Sequence, residues 1–300
     1  MVKFKIICYN CPFIKGLKMR WRNQKSSSNI DDRRFQKTPA SMVNLQVLIP
    51  LIKWLLKTKF GRVVLLIGVI AMFLGYNPLA LISGGGVQNA QISKNDDKYA
   101  QFIGVVLAQT ENVWNKQFQI IGKNYKEPKL VLFRGAVQSG CGFANSQVGP
   151  FYCPADQKIY IDLSFFDELA NRHNAPGDFA NAYVLAHEVG HHVQNLLGIL
   201  SQANREKQGK NKKDQNAIQV KIELGADCLA GVWAHYLGNI LEDGDIDEAL
   251  NAASMIGDDT LQKQANGYVV PDSFTHGSAI QRKNAFYKGY KSGDISICKF

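Results

Sequence analysis

The sequence is sparing with several residue types, and each scarcity excludes something. Six cysteines and nine prolines in 300 residues rule out a disulfide-dense miniprotein and a collagen-like fibre. No internal repeat is visible, which excludes a repeat array. With 46% hydrophobic and only 20% charged residues, the chain is not disordered as a whole and can bury one sizeable core. Acidic residues are nearly missing from positions 1–62, where two Asp+Glu stand against 14 Lys+Arg. The rest of the chain holds 21 basic and 23 acidic residues, so the formal charge of +10 belongs to a tail and not to a folded body. A slightly acidic body without interleaved basic and aromatic residues does not fit nucleic acid as a partner.

Charge is missing altogether between Val63 and Ser93, a run of 31 residues that opens with VVLLIGVIAMFLGYNPLALI. About 20 mainly apolar residues span a bilayer as a helix, so residues 63–82 are expected to form one transmembrane helix in contact with membrane lipid. Sixty-two residues before it are too many for the short leading region of a cleaved signal peptide. Lys57, Lys59 and Arg62 flank only one end. The positive-inside rule then puts the basic tail, residues 1–62, in the cytoplasm and residues 83–300 in the periplasm, across the inner membrane. Residues 1–18 read as an extension, because Met19 opens a second plausible start. Residues 19–42 are polar and expected to be mostly disordered. Leu45 to Leu56 carries apolar residues at helical spacing beside lysines, the pattern of an amphipathic helix on the inner membrane face. Residues 83–95 read as a glycine-rich linker and residues 96–300 as the folded domain.

That domain reads as α+β. Helices are expected over Lys98–Phe118, Phe179–Leu197 (with Asp178 as its N-cap), Gln215–Leu237, Asp247–Met255 and Ala279–Tyr290. Strands are expected at Lys129–Arg134 and at Lys158–Phe165, the second alternating as if half buried. Cys141 and Cys153 lie 12 apart in a Gly/Ser/Pro-rich stretch. In an oxidising compartment they are expected to pair, stabilising the domain by about 2–4 kcal/mol, with two free buried thiols as the alternative. Cys8 and Cys11 form a lone CxxC that cannot complete a zinc site. Cys228 and Cys298 read as ordinary residues.

The chemistry concentrates in His187-Glu188-Val189-Gly190-His191. On a helix, positions i and i+4 share a face, so both imidazoles can reach one metal ion, and Glu188 beside them can take a proton from a bound water. Gly190 costs about 1 kcal/mol of helix propensity, which makes sense where something packs close. Glu223 and Asp227 repeat the i, i+4 spacing in an otherwise apolar run, where two carboxylates need a partner. Glu223 is expected to complete the metal site, and Asp227 to hydrogen-bond the far nitrogen of His187.

Taken together, HEVGHHVQNLLG (His187–Gly198), ELGADCLAGVWA (Glu223–Ala234), DSFTHGSAIQR (Asp272–Arg282), Cys141–Phe166 and the leader Met19–Arg34 resemble the YpfJ-type bacterial neutral zinc metallopeptidase family. The resemblance covers nearly everything from Met19 onward. It implies a zincin-like fold with a gluzincin-like site, in which His187, His191 and Glu223 hold one Zn2+ per chain. In thermolysin-like enzymes a histidine outside the zinc motif stabilises the developing oxyanion, and His276 is similarly placed in chain order, after Glu223 and ahead of a helix, with a capping or surface histidine as the plainer alternative and Arg282 and Tyr268 as weaker substitutes. An edge strand that holds an extended peptide substrate is expected at Lys158–Phe165, by analogy. His192 points about 100° away from His191 and reads as structural or supporting. His173 and His235 are given no role. Arg205–Gln215 reads as a solvated basic loop. The expected activity is peptide-bond hydrolysis by a membrane-anchored enzyme with Glu188 as general base. The alternative is a zinc-binding envelope scaffold without turnover.

Overall fold

The polar leader does not stay in solvent. In the computed structural model, which describes residues 19–36, 53–58, 60, 61, 63 and 95–298, Ile30–Asp32 forms strand β1. Helix α1 (Asp96–Ile120) follows, then strands β2 (Lys129–Phe133), β3 (Ala136–Ser139), β4 (Gly142–Asn145), β5 (Phe151–Cys153) and β6 (Lys158–Asp162). The remainder is helical: α2 (Ser164–Asn171), α3 (Asp178–Leu196), α4 (Ile199–Lys207), α5 (Lys212–His235), α6 (Asp245–Met255), α7 (Asp258–Asn266) and α8 (Ala279–Ser292). The fold is α+β, as the sequence indicates.

A four-stranded sheet runs in the order β1-β2-β6-β5, with β1, β2 and β6 parallel and β5 antiparallel to β6. β3 and β4 form a separate antiparallel pair. The alternation read in β6 does not make it half buried. Ile159, Tyr160, Ile161 and Asp162 are all buried, because an internal strand is covered on both faces. Asp162 tolerates burial by accepting from the backbone N–H of Gly135 at 2.8 Å and of Ser164 at 2.9 Å. β6 is also not the edge strand that was expected to meet substrate. That edge belongs to the three-residue β5, too short to stand out by periodicity.

Three small corrections concern helix ends and cysteines. Gly177, with φ at 134°, is the N-cap of α3, and Asp178 is its first helical residue. Glu248 of α6 reaches over to accept from the Phe179 N–H at 2.9 Å, which gives α3 a cap from another helix. Only residues 208–211 of the basic stretch Arg205–Gln215 are outside helix, since α4 and α5 run into it from both sides. Cys141 and Cys153 are disulfide-bonded, and so are Cys228 and Cys298, which had read as ordinary. Their 70-residue separation carries no local signal.

The leader was expected to be disordered, and for residues 19–36 that is overturned. Met19 and Trp21 are 2% and 5% exposed within the main core. Trp21 packs edge-on to Phe102 of α1, with ring centroids 5.4 Å apart, and its indole N–H donates to Asp178 at 3.1 Å. Ser27 donates to Glu111 at 2.6 Å, and Arg34 to Asp97 at 3.0 Å. β1 pairs with β2 in the register Ile30↔Leu130. Few apolar residues do this work, which is why composition did not show it. Burying a Trp or Met contributes about 1.5–3 kcal/mol, but only where a matching hole exists.

This docking constrains topology. Residues 19–36 and 95–298 share one core, so they lie on one side of any bilayer. A cytoplasmic 1–62 tail with residues 83–300 in the periplasm would put β1 and β2 in different compartments, so that orientation does not hold for residues 19–36, and neither does a single membrane crossing between them and residues 95–298. The expected span at 63–82, nearly all of the linker, most of the Leu45–Leu56 helix and residues 1–18, with Cys8 and Cys11, lie outside the described residues. Among the described residues, no helix is long and apolar enough to cross a membrane. In cells, with Cys8 and Cys11 changed to serine, a membrane-impermeant maleimide is expected to treat Lys25→Cys and Arg172→Cys alike. Labelling of one and protection of the other would contradict the shared core.

Candidate metal centre

Two helices cross where Gly190 of α3 meets Ala226 of α5. A Cβ at Gly190 would lie 2.9 Å from the Ala226 carbonyl oxygen and 3.1 Å from its Cα, closer than packing allows. The missing side chain therefore lets the two backbones approach. Their facing residues are those singled out by spacing. His187 and His191 stand one turn apart on α3 with ring centroids 4.8 Å apart. Glu223 of α5 brings Oε2 to 3.2 Å from His187 Nε2 and 3.3 Å from His191 Nε2. The three ligand atoms all lie within 4.8 Å of one another. Tetrahedral zinc with bonds of about 2.0–2.2 Å spaces its ligand atoms ~3.3 Å apart. The donors present therefore fit such an ion in both chemistry and spacing.

Each histidine is oriented from behind. His187 Nδ1 is 2.8 Å from Asp227 Oδ1, so this nitrogen carries the proton and Nε2 faces Glu223. Asp227, fully buried, also accepts from Tyr183 at 2.5 Å and from Arg282 through Nε at 2.9 Å and a second nitrogen at 3.0 Å. Burial pushes its pKa up, but Arg282 and His187 outweigh that and hold it at about 2. Arg282 is 3% exposed and committed to Asp227, Tyr183 and the Ile256 carbonyl, which leaves it poorly placed as a free oxyanion donor. His191 Nδ1 donates to Gln194 Oε1 at 2.9 Å, while the Gln194 amide donates to the Ile222 carbonyl at 2.7 Å. Gln194 was not read from the sequence. Its signal was a polar residue three positions after His191, on the same face of an otherwise apolar helix.

The centre opens into a cleft of about 510 Å³. Glu188, 7% exposed, lines it beside His187, His191 and Glu223, and apolar walls come from Phe165, Val184 and Leu200. His276 lines it too, with its ring half exposed and Nδ1 3.3 Å from Asp258. Asp258 Oδ2 accepts from the backbone N–H groups of Thr275, His276 and Gly277 at 2.7, 2.6 and 3.0 Å, which fixes the loop that presents His276. Tyr268 is 65% exposed and not part of the cleft wall. β5 contributes Phe151 and Tyr152 to the wall. His192 is turned away from the centre. Its Nε2–H donates to the Lys126 carbonyl at 2.6 Å and its Nδ1 accepts from the Tyr152 hydroxyl at 3.1 Å. Burial pushes its pKa down to about 4, so it is a neutral strut between α3 and β5. His173, given no role, stands in the cleft wall, and His235 bonds the Tyr290 carbonyl elsewhere.

Two crossing helices that bring an HExxH pair and a glutamate to one point, at the base of an open cleft, make an HExxH-type metal domain. The chain belongs to the family described as "Putative neutral zinc metallopeptidase", which matches residues 19–300. It is similar to the "Uncharacterized protein YpfJ" of Escherichia coli strain K12, at 46% identity over 93% of this chain and 98% of that one. It is also similar to the "Uncharacterized protein Rv2575" of Mycobacterium tuberculosis, at 39% identity over 76% of this chain and 84% of that one. No solved structure matches it.

Two outcomes follow from this geometry. Burial works against a charged His187, but Asp227 and Glu223 prevail and raise its pKa from 6.5 to about 10. Zinc binds the neutral imidazole, so its uptake at pH 7 must release a proton, and its apparent affinity should rise with pH towards 10. The folding stability that the protonated histidine contributes has the opposite sign, being full below pH 6.5 and lost as the pH rises through 10. Calorimetric zinc titrations in buffers of different ionisation enthalpy measure the released protons. Gly190→Ala should destabilise the protein by about 1–3 kcal/mol, as overpacking does, and weaken zinc binding because the ligand helices are forced apart. Urea unfolding and zinc competition read the two effects separately.

Proposed function

We propose that the chain is a zinc peptidase that hydrolyses peptide bonds with Glu188 as its general base. The observation that carries this is the convergence of His187, His191 and Glu223 within 4.8 Å at the floor of an open cleft that Glu188 also lines. His187, His191 and Glu223 would hold one zinc, which would supply Lewis acidity and make water at the site more acidic. Glu188 then accepts the proton of the attacking water and returns it to the leaving amine. His276, presented by its Asp258-bound loop, donates a hydrogen bond to the oxyanion that develops on the carbonyl. β5, the edge strand whose Phe151 and Tyr152 line the cleft, holds the substrate extended through main-chain hydrogen bonds. Asp227, locked by Arg282 and Tyr183, keeps His187 in one tautomer. Internal cleavage suits a cleft that is open rather than a closed pocket.

Membrane attachment belongs to the same proposal. The uncharged stretch at 63–82 supplies the lipid contact, but not as a single crossing, because residues 19–36 before it and 95–298 after it share one core. The body and residues 19–36 then stand outside the cytoplasm of a bacterial cell, at the inner membrane, a reading supported by the two disulfides, which favour an oxidising compartment.

The test uses the whole chain, as wild type and as Glu188→Gln, with bound metal measured by elemental analysis and turnover of a mixed peptide library by mass spectrometry. One zinc in each protein and a loss of about 10²–10⁴ in rate for the variant is the expected result, in line with removing a general base. Zinc in both and cleavage by neither would favour a zinc-binding scaffold. A wild type that holds no zinc would remove the basis of the assignment.

A further inference from the structure

His187 leans on Asp227 and His191 on Gln194, which leaves the third ligand to be accounted for. Gln219 precedes Glu223 by one turn of α5, and its amide nitrogen donates to Glu223 Oε1 at 2.7 Å. The amide oxygen of Gln219 accepts from the ammonium of Lys207, the last residue of α4. Glu223 therefore divides its two oxygens, Oε1 to the amide and Oε2 to the two imidazoles. All of these side chains line the cleft.

An i, i+4 Gln–Glu pair on a helix is ordinarily a solvated surface contact worth little. Three observations argue against that here. The Glu223 side chain is 7% exposed. The partner of the amide reaches over from a different helix. And a primary amide has one accepting oxygen and one donating nitrogen, so only a single orientation satisfies Lys207 and Glu223 together.

Resting on the zinc site proposed above, we propose that Gln219 and Lys207 are a positioning pair for Glu223. Gln219 occupies Oε1, so that Glu223 offers the cation one oxygen and not two. Lys207 fixes the amide the right way round and strengthens its donor through a charge-assisted bond. The pair completes a set in which each of the three ligands has one dedicated partner. A carboxylate or an apolar side chain at position 219 cannot accept from the ammonium and donate to the glutamate at once.

The experiment measures zinc dissociation constants of the full chain by competition with a chromophoric chelator, and Tm with the metal removed. The variants are Gln219→Leu, Lys207→Met and Lys207→Arg. Gln219→Leu should bind zinc about 10–100-fold more weakly, the usual effect of losing a partner behind a metal ligand. Lys207→Met should shift in the same direction by less, and Lys207→Arg should restore most of the loss. The Tm without zinc should match wild type in all three. Zinc affinity unchanged in Gln219→Leu overturns the inference, as does a loss of affinity accompanied by an equal fall in the zinc-free Tm, which would mark a merely structural role. If Gln219→Leu does not fold, the two variants at Lys207, on the separate helix α4, decide the question in the same way. A wild type that takes up no zinc overturns the zinc site itself, an outcome distinct from a wild type that binds zinc and variants that bind it equally well.

Discussion

The close contact between Gly190 and Ala226 is the constraint on which the centre depends. It sets the distance between α3 and α5, and with it the 3.2 and 3.3 Å separations between Glu223 and the two imidazoles. The rest of the fold makes that distance rigid. α8 packs on α5 through another pair of side-chain-free positions, Gly231 and Gly289, each set against the backbone of the opposing helix. Arg282 of α8 then reaches Asp227 from the far side, so three helices are tied at one carboxylate. Interiors this dense respond to small volume changes as units. A change made at the helix crossing is therefore felt at the metal ligands.

Electrostatics follow from the same packing. Two carboxylates, two imidazoles and a guanidinium stand largely buried beside the cleft. Such groups are tolerated because each has a partner of opposite sign or a hydrogen bond. Arg282 neutralises Asp227, and Asp227 in turn supports His187. Once the imidazoles are neutral, as metal binding requires, Glu223 is left with an unbalanced negative charge, directed at the point where they converge. That charge is what makes the locus hospitable to a divalent cation.

How much of this was legible in the sequence depends on range. The HEVGH pair and the Glu223/Asp227 pair could be read because helical periodicity converts a spacing of four into a shared face. The meaning of Gly190 was also legible, since a helix-weakening residue inside a functional motif needs a reason. The long helices appeared within a few residues of their observed ends. What could not be read was whatever depends on distant partners. β1 is three residues long and becomes a strand only because β2, 100 positions later, offers it an edge. Trp21 looked like part of a basic tail until Phe102 and Asp178 were seen to receive it. β5 and β6 exchanged roles because strand order is a tertiary property that alternation cannot reveal. Gln194 and Gln219 escaped notice for another reason. A glutamine on a helix is unremarkable in sequence, and its importance rests on which way its amide is turned.

The disulfide between Cys228 and Cys298 sets an order of events. Cys228 directly follows Asp227 on the metal-bearing helix, and its partner stands 70 positions later, beyond α8. The covalent brace on α5 therefore waits until Cys298 has been made and delivered to an oxidising environment. Until then the helix that carries Glu223 lacks one of its fastenings. A chain made only as far as α8 thus carries the full set of metal-binding side chains on a helix not yet secured.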